Sequence, residues 1–394
     1  MSDENLQSFD DDSQALSMQQ IVWHQFIEHK MAVVGMAIIT IFVMIALSAP
    51  MISKITGIDP EKQNIFKRYQ KPFSTIEYSQ DDKEAAIEKF IEEDAERSQR
   101  IIAAARSANV LESEVTDEDF LFEIILSEDK SAQNRLWELK SQDISELESL
   151  CSRFTSFHLL GTDELGRDVL MRLVFGTRVS IAFGIMVALA SAFLGLLIGS
   201  LAGYYGGWID SLLSRFIDAL LSLPSIPLMI IFAAVDISKI PFVGGMLEGE
   251  NQSVLKLSIV IALFSWMTVA RLVRGSILSI KEREFILAAK TLGARDVSII
   301  LSHIVPNVIS PLLVAVTLNV GNSILSEAAL SFLGLGIQPP TPSWGNMLFN
   351  AQELIFEAPL LAILPGLLIL LTVISFNFVG DGLQNAIDPK SIRR

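Results

Sequence analysis

The sequence predicts an all-α, polytopic membrane protein with six transmembrane helices and a helical insertion. Hydrophobic residues make up 51% of its 394 residues, and the mean hydropathy is +0.45. Several uncharged stretches reach about 20 residues, the length that crosses a bilayer as a helix. The net charge of -15 is concentrated in the polar segments between them. We therefore expect the apolar stretches to be membrane spans.

The first apolar stretch follows a mostly polar tail, residues 1–30, and fits a retained anchor better than a cleaved signal. Pro224 and Pro227 interrupt the third stretch and predict a kink or a half-helix there. The six predicted spans are residues 31–52, 179–203, 212–235, 254–272, 307–330 and 359–378.

Basic residues orient these spans. Lys and Arg cluster in residues 271–295 and again in the tail 384–394, whereas residues 331–358 contain neither. By the positive-inside rule, the two basic regions lie in the cytoplasm and the third region lies outside. An even number of spans then predicts that both chain termini are cytoplasmic.

The long polar segment between the first two spans, residues 53–157, is rich in acidic residues. We predict a small helical, extracytoplasmic insertion, and the alternative is a partly disordered acidic spacer. The single cysteine of the chain, Cys151, lies here and excludes an intramolecular disulfide. The predicted buried positions of the insertion recur at near-helical spacing: Leu136, Leu139, Ile144, Leu147 and Leu150.

Residues 282–306 form a charged hairpin between two apolar segments. Each charge would cost roughly 2.5 to 3.5 kcal/mol inside a bilayer, so the hairpin is expected on one membrane face. Ala288 and Ala289 offer a surface for close approach, and Gly293 supplies a left-handed cap that ends the first helix. A single buried stripe is predicted for the second helix: Val297, Ile300, Leu301 and Ile304.

Motifs of catalysis and metal binding are missing from the sequence. It contains no GxxxxGK[ST] phosphate loop, HExxH, CxxC or GxSxG motif, and its four histidines are scattered. We therefore predict that the chain is not an enzyme and carries no metal or cofactor of its own. Energy for uphill transport would come from a partner or from an ion gradient.

The hairpin resembles the EAA loop of ATP-binding cassette importer permeases, a cytoplasmic segment that docks into the ATPase subunit. Leu287 stands where that family usually has glutamate. The resemblance implies that the ATPase-coupling residues are Leu287, Ala288, Ala289, Gly293, Ala294 and Pro306.

Three further segments resemble the C-type permease subunits of dipeptide, oligopeptide and nickel importers. They are HLLGTDELGRDVLMRLVFGTR (158–178), SEAALSFLGLGIQPPTPSWGNML (326–348) and GDGLQNAIDP (380–389). The first is expected to be an interfacial helix capped by Thr162 or Asp163. The acidic insertion is longer than the corresponding loop of that family.

This resemblance implies a type I importer permease fold, with five spans in a core of residues 179–383. It implies three kinds of protein partner: a second permease subunit, two cytoplasmic ATPases that use ATP, and an extracytoplasmic binding protein. It also implies that the chain lies in the bacterial inner membrane, where it contacts lipid, and that it binds no nucleic acid. The substrate would be a peptide, and nickel is the alternative within the family.

Two sets of residues inside the spans are candidates for helix packing and for a substrate pathway. Gly195, Gly199 and Gly203 recur every four residues and predict close helix packing. A polar stripe on the fifth span predicts either a pathway lining or hydrogen bonds between helices, and its members are Asn319, Asn322, Ser323 and Glu327.

Two other classes of protein compete with this interpretation. An ion-coupled secondary transporter is usually built from two related halves, and the spans contain no convincing internal repeat. A membrane scaffold would use the acidic insertion to recruit partners.

Overall fold

The structure is a computed structural model, and it divides into two compact units, Lys62–Leu170 and Met1–Glu61 with Met171–Arg394. The residues that it describes are 18–56, 58–61, 68–73, 80–108, 110, 121, 124, 130–154, 158–235, 252–349, 355–356 and 358–387.

The regular elements of the described residues are helices. In chain order they are α1 (Met18–Glu28), α2 (Lys30–Thr56), α3 (Gln80–Glu93), α4 (Ala95–Ser107), α5 (Lys130–Trp137), α6 (Gln142–Phe154), α7 (Val169–Tyr205), α8 (Gly207–Leu221), α9 (Ser225–Ala234), α10 (Gln252–Ile280), α11 (Glu284–Thr291), α12 (Asp296–Ile299), a π-helix (Ile300–Ile304), α13 (Val305–Phe332), a 3-10 turn (Asn346–Leu348) and α14 (Pro359–Ile387).

Five helical segments of the described residues are long and apolar enough to cross a membrane: α2, α7, α10, Asp296–Phe332 and α14. The pair α8 and α9 passes the same test together and would make a sixth span. The prediction of an all-α, polytopic membrane protein is therefore confirmed.

The third predicted span is broken. Helices α8 and α9 meet at an angle of 86°. Pro224 is the N-cap residue of α9 and adopts an extended backbone conformation. Its ring provides no backbone N–H and disfavours the helical conformation of the residue before it, so α8 ends at Leu221 with Ser222 as its C-cap residue.

Helix α7 is longer than predicted, because its 37 residues include the last ten residues of the expected interfacial segment, 169–178. The cap predicted at Thr162 or Asp163 is wrong, since the helix begins only at Val169. The Asp163 carboxylate instead accepts hydrogen bonds from the backbone of Leu165 and Arg167 and from Arg167 Nε. These local bonds hold residues 163–167 in a turn and compete with helix formation.

The described part of the insertion is folded. Helices α3 to α6 share a core that includes Ile101, Leu147 and Cys151, which confirms the helical prediction for these residues. Leu139 is an exception, because it lies 40% exposed in the turn between α5 and α6. The predicted stripe continued a helical period across a turn that interrupts it.

An ion pair links α4 to α6 on the surface of this unit. Arg100 donates to Asp143 at 2.9 Å, and this hydrogen bond lowers the pKa of the Asp143 carboxyl below its usual value. The contribution of the pair to stability is present above the carboxyl's unfolded pKa. It is lost as the pH falls through the lower, folded pKa.

The buried cysteine provides a probe of this core. Burial raises the pKa of Cys151 to about 12, so a maleimide should react slowly with the folded chain. Replacing Leu147 with alanine should cost about 2 to 5 kcal/mol and speed up labelling of Cys151 in the full-length protein. Leu139→Ala is the matched control and should change stability by less than about 0.5 kcal/mol. Equal labelling rates in the two variants would contradict the shared core.

Candidate coupling hairpin and translocation cavity

The hairpin consists of α11 and α12, and a glycine ends its first helix. Gly293 has φ of +80°, the left-handed conformation expected of it. The N–H of Ala294 donates to Ala289 O, and the N–H of Gly293 donates to Lys290 O. These two bonds define a Schellman motif, which caps carbonyl groups that the helix leaves free. The turn between the two helices is thereby set by local bonds.

The inner face of the hairpin is buried against the ends of the spans. Ile286, Ile299 and Ile304 are fully buried in one cluster with Val273 and Ile277 of α10. The predicted stripe is therefore partly wrong, because Val297 and Leu301 are exposed. The π-helix explains the difference, since its wider turns shift the buried positions to a spacing of five residues.

The outer face of the hairpin is apolar and exposed. Leu292, in the turn, is 88% exposed, while Val297 and Leu301 are each 62% exposed. Five members of the predicted coupling set are exposed: Leu287, Ala288, Gly293, Ala294 and Pro306. Ala289 is half-buried and packs against the cluster of the inner face.

Polar contacts attach the hairpin to α7, a helix that is not its neighbour in sequence. Tyr204 Oη donates to Asp296 Oδ1 at 2.6 Å, and Lys290 Nζ lies 5.0 Å from the centroid of the Tyr204 ring. Lys281 Nζ donates to Gly203 O at 3.2 Å. The last turn of α7 therefore contacts both helices of the hairpin.

Two ion pairs join α8 to α10. Arg274 donates to Asp210 through two nitrogens, and Arg271 Nη2 donates to Asp218 Oδ1 at 2.6 Å. Arg271 lies 53 positions from Asp218 in the sequence, and only the packing of α8 against α10 brings the two residues together.

The predicted packing glycines of α7 face α10. A Cβ atom added to Gly195 would lie 2.6 Å from Val269 Cβ, and one added to Gly199 would lie 2.6 Å from Ala270 O. One added to Gly203 would lie 2.9 Å from Ile277 Cβ. The two helices approach so closely that no side chain fits at these positions.

A cavity of about 670 Å³ lies beside the spans. It extends from the middle of α10 and α13 toward the ends that join the hairpin, and α8 and α9 close another side. Most of the lining is apolar. Its polar groups are hydroxyls and amides: Ser225, Ser265, Thr268, Asn319, Asn322 and Gln384.

The polar stripe predicted on the fifth span is split between two environments. Asn319 and Asn322 line the cavity, whereas Ser323 is buried and donates to Asn319 O. Glu327 is 0% exposed, and its Oε1 accepts from the hydroxyls of Ser331 and Ser343. The structure thus places Glu327 under the loop that follows α13, away from the cavity lining.

That loop, residues 336–346, is called the Trp344 loop here. The Trp344 side chain is 0% exposed and its Nε1 donates to Leu173 O of α7. Its backbone N–H donates to Ser180 Oγ, and its ring meets Phe42 of α2 at 5.8 Å between centroids. The loop is therefore held by α2, α7 and α13 together.

Sequence reasoning missed Tyr204 and Trp344 as residues that connect elements. Both are aromatic residues with a polar group, and such residues need a hydrogen-bond partner when they are buried. That signal was present in the sequence. The identity of the partners was not, because Asp296 lies 92 residues and Ser180 lies 164 residues away along the chain.

The fold and the hairpin define the permease subunit of an ATP-binding cassette importer. A family model described as "Binding-protein-dependent transport system inner membrane component" matches residues 195–393, about half of the chain. A second model, "N-terminal TM domain of oligopeptide transport permease C", matches residues 17–72. The chain belongs to the family of binding-protein-dependent transport system inner membrane components.

Curated relatives agree with this family. The chain is 43% identical over 233 residues to the "Glutathione transport system permease protein GsiD" of Escherichia coli O1:K1 / APEC. The match covers 59% of this chain and 72% of that protein. The protein of the same name from Shigella flexneri serotype 5b (strain 8401) matches with the same identity and coverage.

Proposed function

We propose that this permease subunit imports short peptides and that its hairpin is the docking element for a cytoplasmic ATPase. A second permease subunit completes the translocation path, two ATPases consume ATP, and an extracytoplasmic binding protein delivers the substrate. Both chain termini then lie in the cytoplasm with the hairpin. The chain contributes the path and the coupling, and its partners contribute the hydrolysis.

The two-faced hairpin is the observation that carries this proposal. Its inner face is buried against the ends of the spans, so a displacement of the hairpin is passed on to them. Its outer face exposes Leu292, Val297 and Leu301, which only a partner would cover. Alternating access follows if the docked ATPases hold the hairpins in different positions before and after ATP hydrolysis.

The cavity supports a peptide as the substrate class. Asn319, Asn322 and Gln384 carry amide groups, which donate and accept hydrogen bonds as peptide groups do. The apolar walls around them suit side chains of varied shape. Glutathione, the compound named for the relatives, is itself a short peptide.

The hairpin is tested by replacing Gly293 with valine. A Cβ atom there meets nothing within 4 Å, so the substitution acts only through the strained left-handed backbone. The strain of about 1 to 2 kcal/mol should weaken docking by a factor of roughly 5 to 30. The measurement is the amount of ATPase subunit that co-purifies with the permease in detergent.

Gly293→Asn is the matched control, because asparagine tolerates the left-handed conformation. It should co-purify nearly as much ATPase as the unchanged protein. If the valine variant retains the same amount as the asparagine variant, the docking role of the hairpin is wrong.

The substrate class is tested with the complete importer in proteoliposomes. Labelled glutathione and other short peptides should accumulate when ATP and the binding protein are supplied, and Ni²⁺ should not. Uptake of Ni²⁺ instead would favour the nickel alternative. Uptake driven by a proton or sodium gradient without ATP would favour a secondary transporter.

A further inference from the structure

Helix α7 is not adjacent to the hairpin in the sequence. The chain enters the hairpin from α10 and leaves it into α13, so these two spans follow any displacement of the hairpin through the backbone. Helix α7 ends at Tyr205, and α8, α9 and α10 all come between it and the hairpin in sequence. Any movement of α7 with the hairpin therefore depends on non-covalent contacts.

The packing of α7 on α10 at the three glycines is apolar. Gly195, Gly199 and Gly203 carry no side chain, and the side chains that press against them are Val269, Val273 and Ile277 of α10. Dispersion contacts of this kind have no strong direction along the helix axis. A directional contact at one end would set the axial register of α7.

Tyr204 supplies such a contact to the hairpin, in addition to the hydrogen bond from Lys281 to Gly203 O. Its side chain is 8% exposed and belongs to the cluster that contains Ile286 and Ile299 of the hairpin. Packing accounts for the ring, and phenylalanine would pack in the same way. Packing does not account for the hydroxyl, which donates a short hydrogen bond to the Asp296 carboxylate at 2.6 Å.

Lys290 adds a second contact from the other hairpin helix. Its ammonium lies 5.0 Å from the centroid of the Tyr204 ring, within the distance at which a cation is attracted to an aromatic face. Tyr204 thus contacts α11 through its ring and α12 through its hydroxyl. Rotation or translation of either hairpin helix would act on the end of α7.

We propose that Tyr204 is the positioning residue that makes α7 move with the hairpin. The proposal rests on the docking of an ATPase to the hairpin. Helix α7 then carries the displacement along its length to Leu173 and Ser180, which hold Trp344 at its far end. The hydrogen bond to Asp296 connects the ATPase side of the subunit to the Trp344 loop.

The test uses the complete importer with spin labels at Leu201→Cys on α7 and Glu282→Cys beside the hairpin, both of which are exposed positions. The distance between the labels is measured without nucleotide and after ATP hydrolysis in the presence of vanadate, which traps ADP and vanadate in the ATPases. With Tyr204 present, one narrow distance should appear in both states. In Tyr204→Phe, which keeps the ring but loses the donor, the distance should shift or broaden between the states.

Import provides a second readout. The amount of labelled glutathione imported per ATP hydrolysed should fall about tenfold in Tyr204→Phe, as expected for a lost hydrogen bond to a charged group. Co-purification of the ATPase should stay unchanged, and the thermal midpoint should fall only slightly, as for the loss of one part-buried hydrogen bond. Tyr205→Phe is the matched control, because Tyr205 is the adjacent residue and is 46% exposed. It should behave as the unchanged protein in every assay.

The outcomes separate this proposal from the docking on which it rests. The proposal is overturned if the Tyr204→Phe complex shows the same label distances as the complex with unchanged protein. It is also overturned if the label distance varies between the two states when Tyr204 is present. A large fall of the thermal midpoint together with loss of ATPase co-purification would assign Tyr204 a structural role and would also overturn the proposal. Failure of the unchanged permease to co-purify with an ATPase would contradict the docking itself.

Discussion

Replacing Gly199 with leucine is expected to prevent α7 from packing on α10. The added Cβ would lie 2.6 Å from Ala270 O and 2.9 Å from Val273 Cβ. Overpacking usually costs about 1 to 3 kcal/mol, and we expect the upper end or more because a backbone carbonyl cannot rotate away. The measurement is the thermal midpoint of the purified subunit in detergent, together with its elution as a single species.

Gly275→Ala is the matched control for this substitution. Gly275 also lies within a membrane helix, but a Cβ atom there meets nothing within 4 Å. Alanine removes the entropic penalty of a helical glycine, so the control should be unchanged or more stable by about 0.5 to 1 kcal/mol. If the Gly199→Leu variant has the same thermal midpoint as the control, the glycines do not determine the packing of α7.

The second large effect is expected for Trp344→Ala. The substitution empties a fully buried site and removes the hydrogen bond to Leu173 O and the contact with Phe42. Loss of a buried tryptophan costs about 3 to 5 kcal/mol. The thermal midpoint should fall accordingly. Chemical labelling of a cysteine placed at Ile337, which is 2% exposed, should become faster as the Trp344 loop detaches.

Trp344→Phe separates packing from hydrogen bonding at this site. It keeps an aromatic ring and loses only the Nε1 donor, and Leu173 O still accepts from Thr177 Oγ1. The lost hydrogen bond should cost about 0.5 to 1.5 kcal/mol. If the alanine variant is no less stable than the phenylalanine variant, the loop is not held by the buried ring.

Local patterns predicted the glycine cap of the hairpin correctly. The charges of the hairpin exclude it from a bilayer, and Gly293 occupies the left-handed position that the sequence indicated. The same approach failed at Val297 and Leu301, which are exposed. An α-helical period was assumed there, and the π-helix at Ile300–Ile304 changes the period. The wider turn is not visible in hydrophobic spacing alone.

Contacts between distant residues were beyond sequence reasoning. Glu327 was predicted to line a pathway or to bond between helices, and the structure gives it two serine hydroxyls as partners. One of them, Ser331, lies one helical turn away on α13, and the other, Ser343, lies in the Trp344 loop. A polar residue on an apolar helix must find a partner, but its identity depends on how the following loop folds back.

Hydropathy, charge and residue spacing by themselves determined that this chain is an all-α membrane protein with a charged hairpin between two spans. These properties are local, because insertion into lipid and capping of a helix depend on residues within a few turns of one another. The tertiary structure alone decided that Tyr204 bonds Asp296 and that Trp344 bonds Ser180 and Leu173. Each of these bonds joins residues more than 90 positions apart, and only the packing of the spans brings them within hydrogen-bond distance.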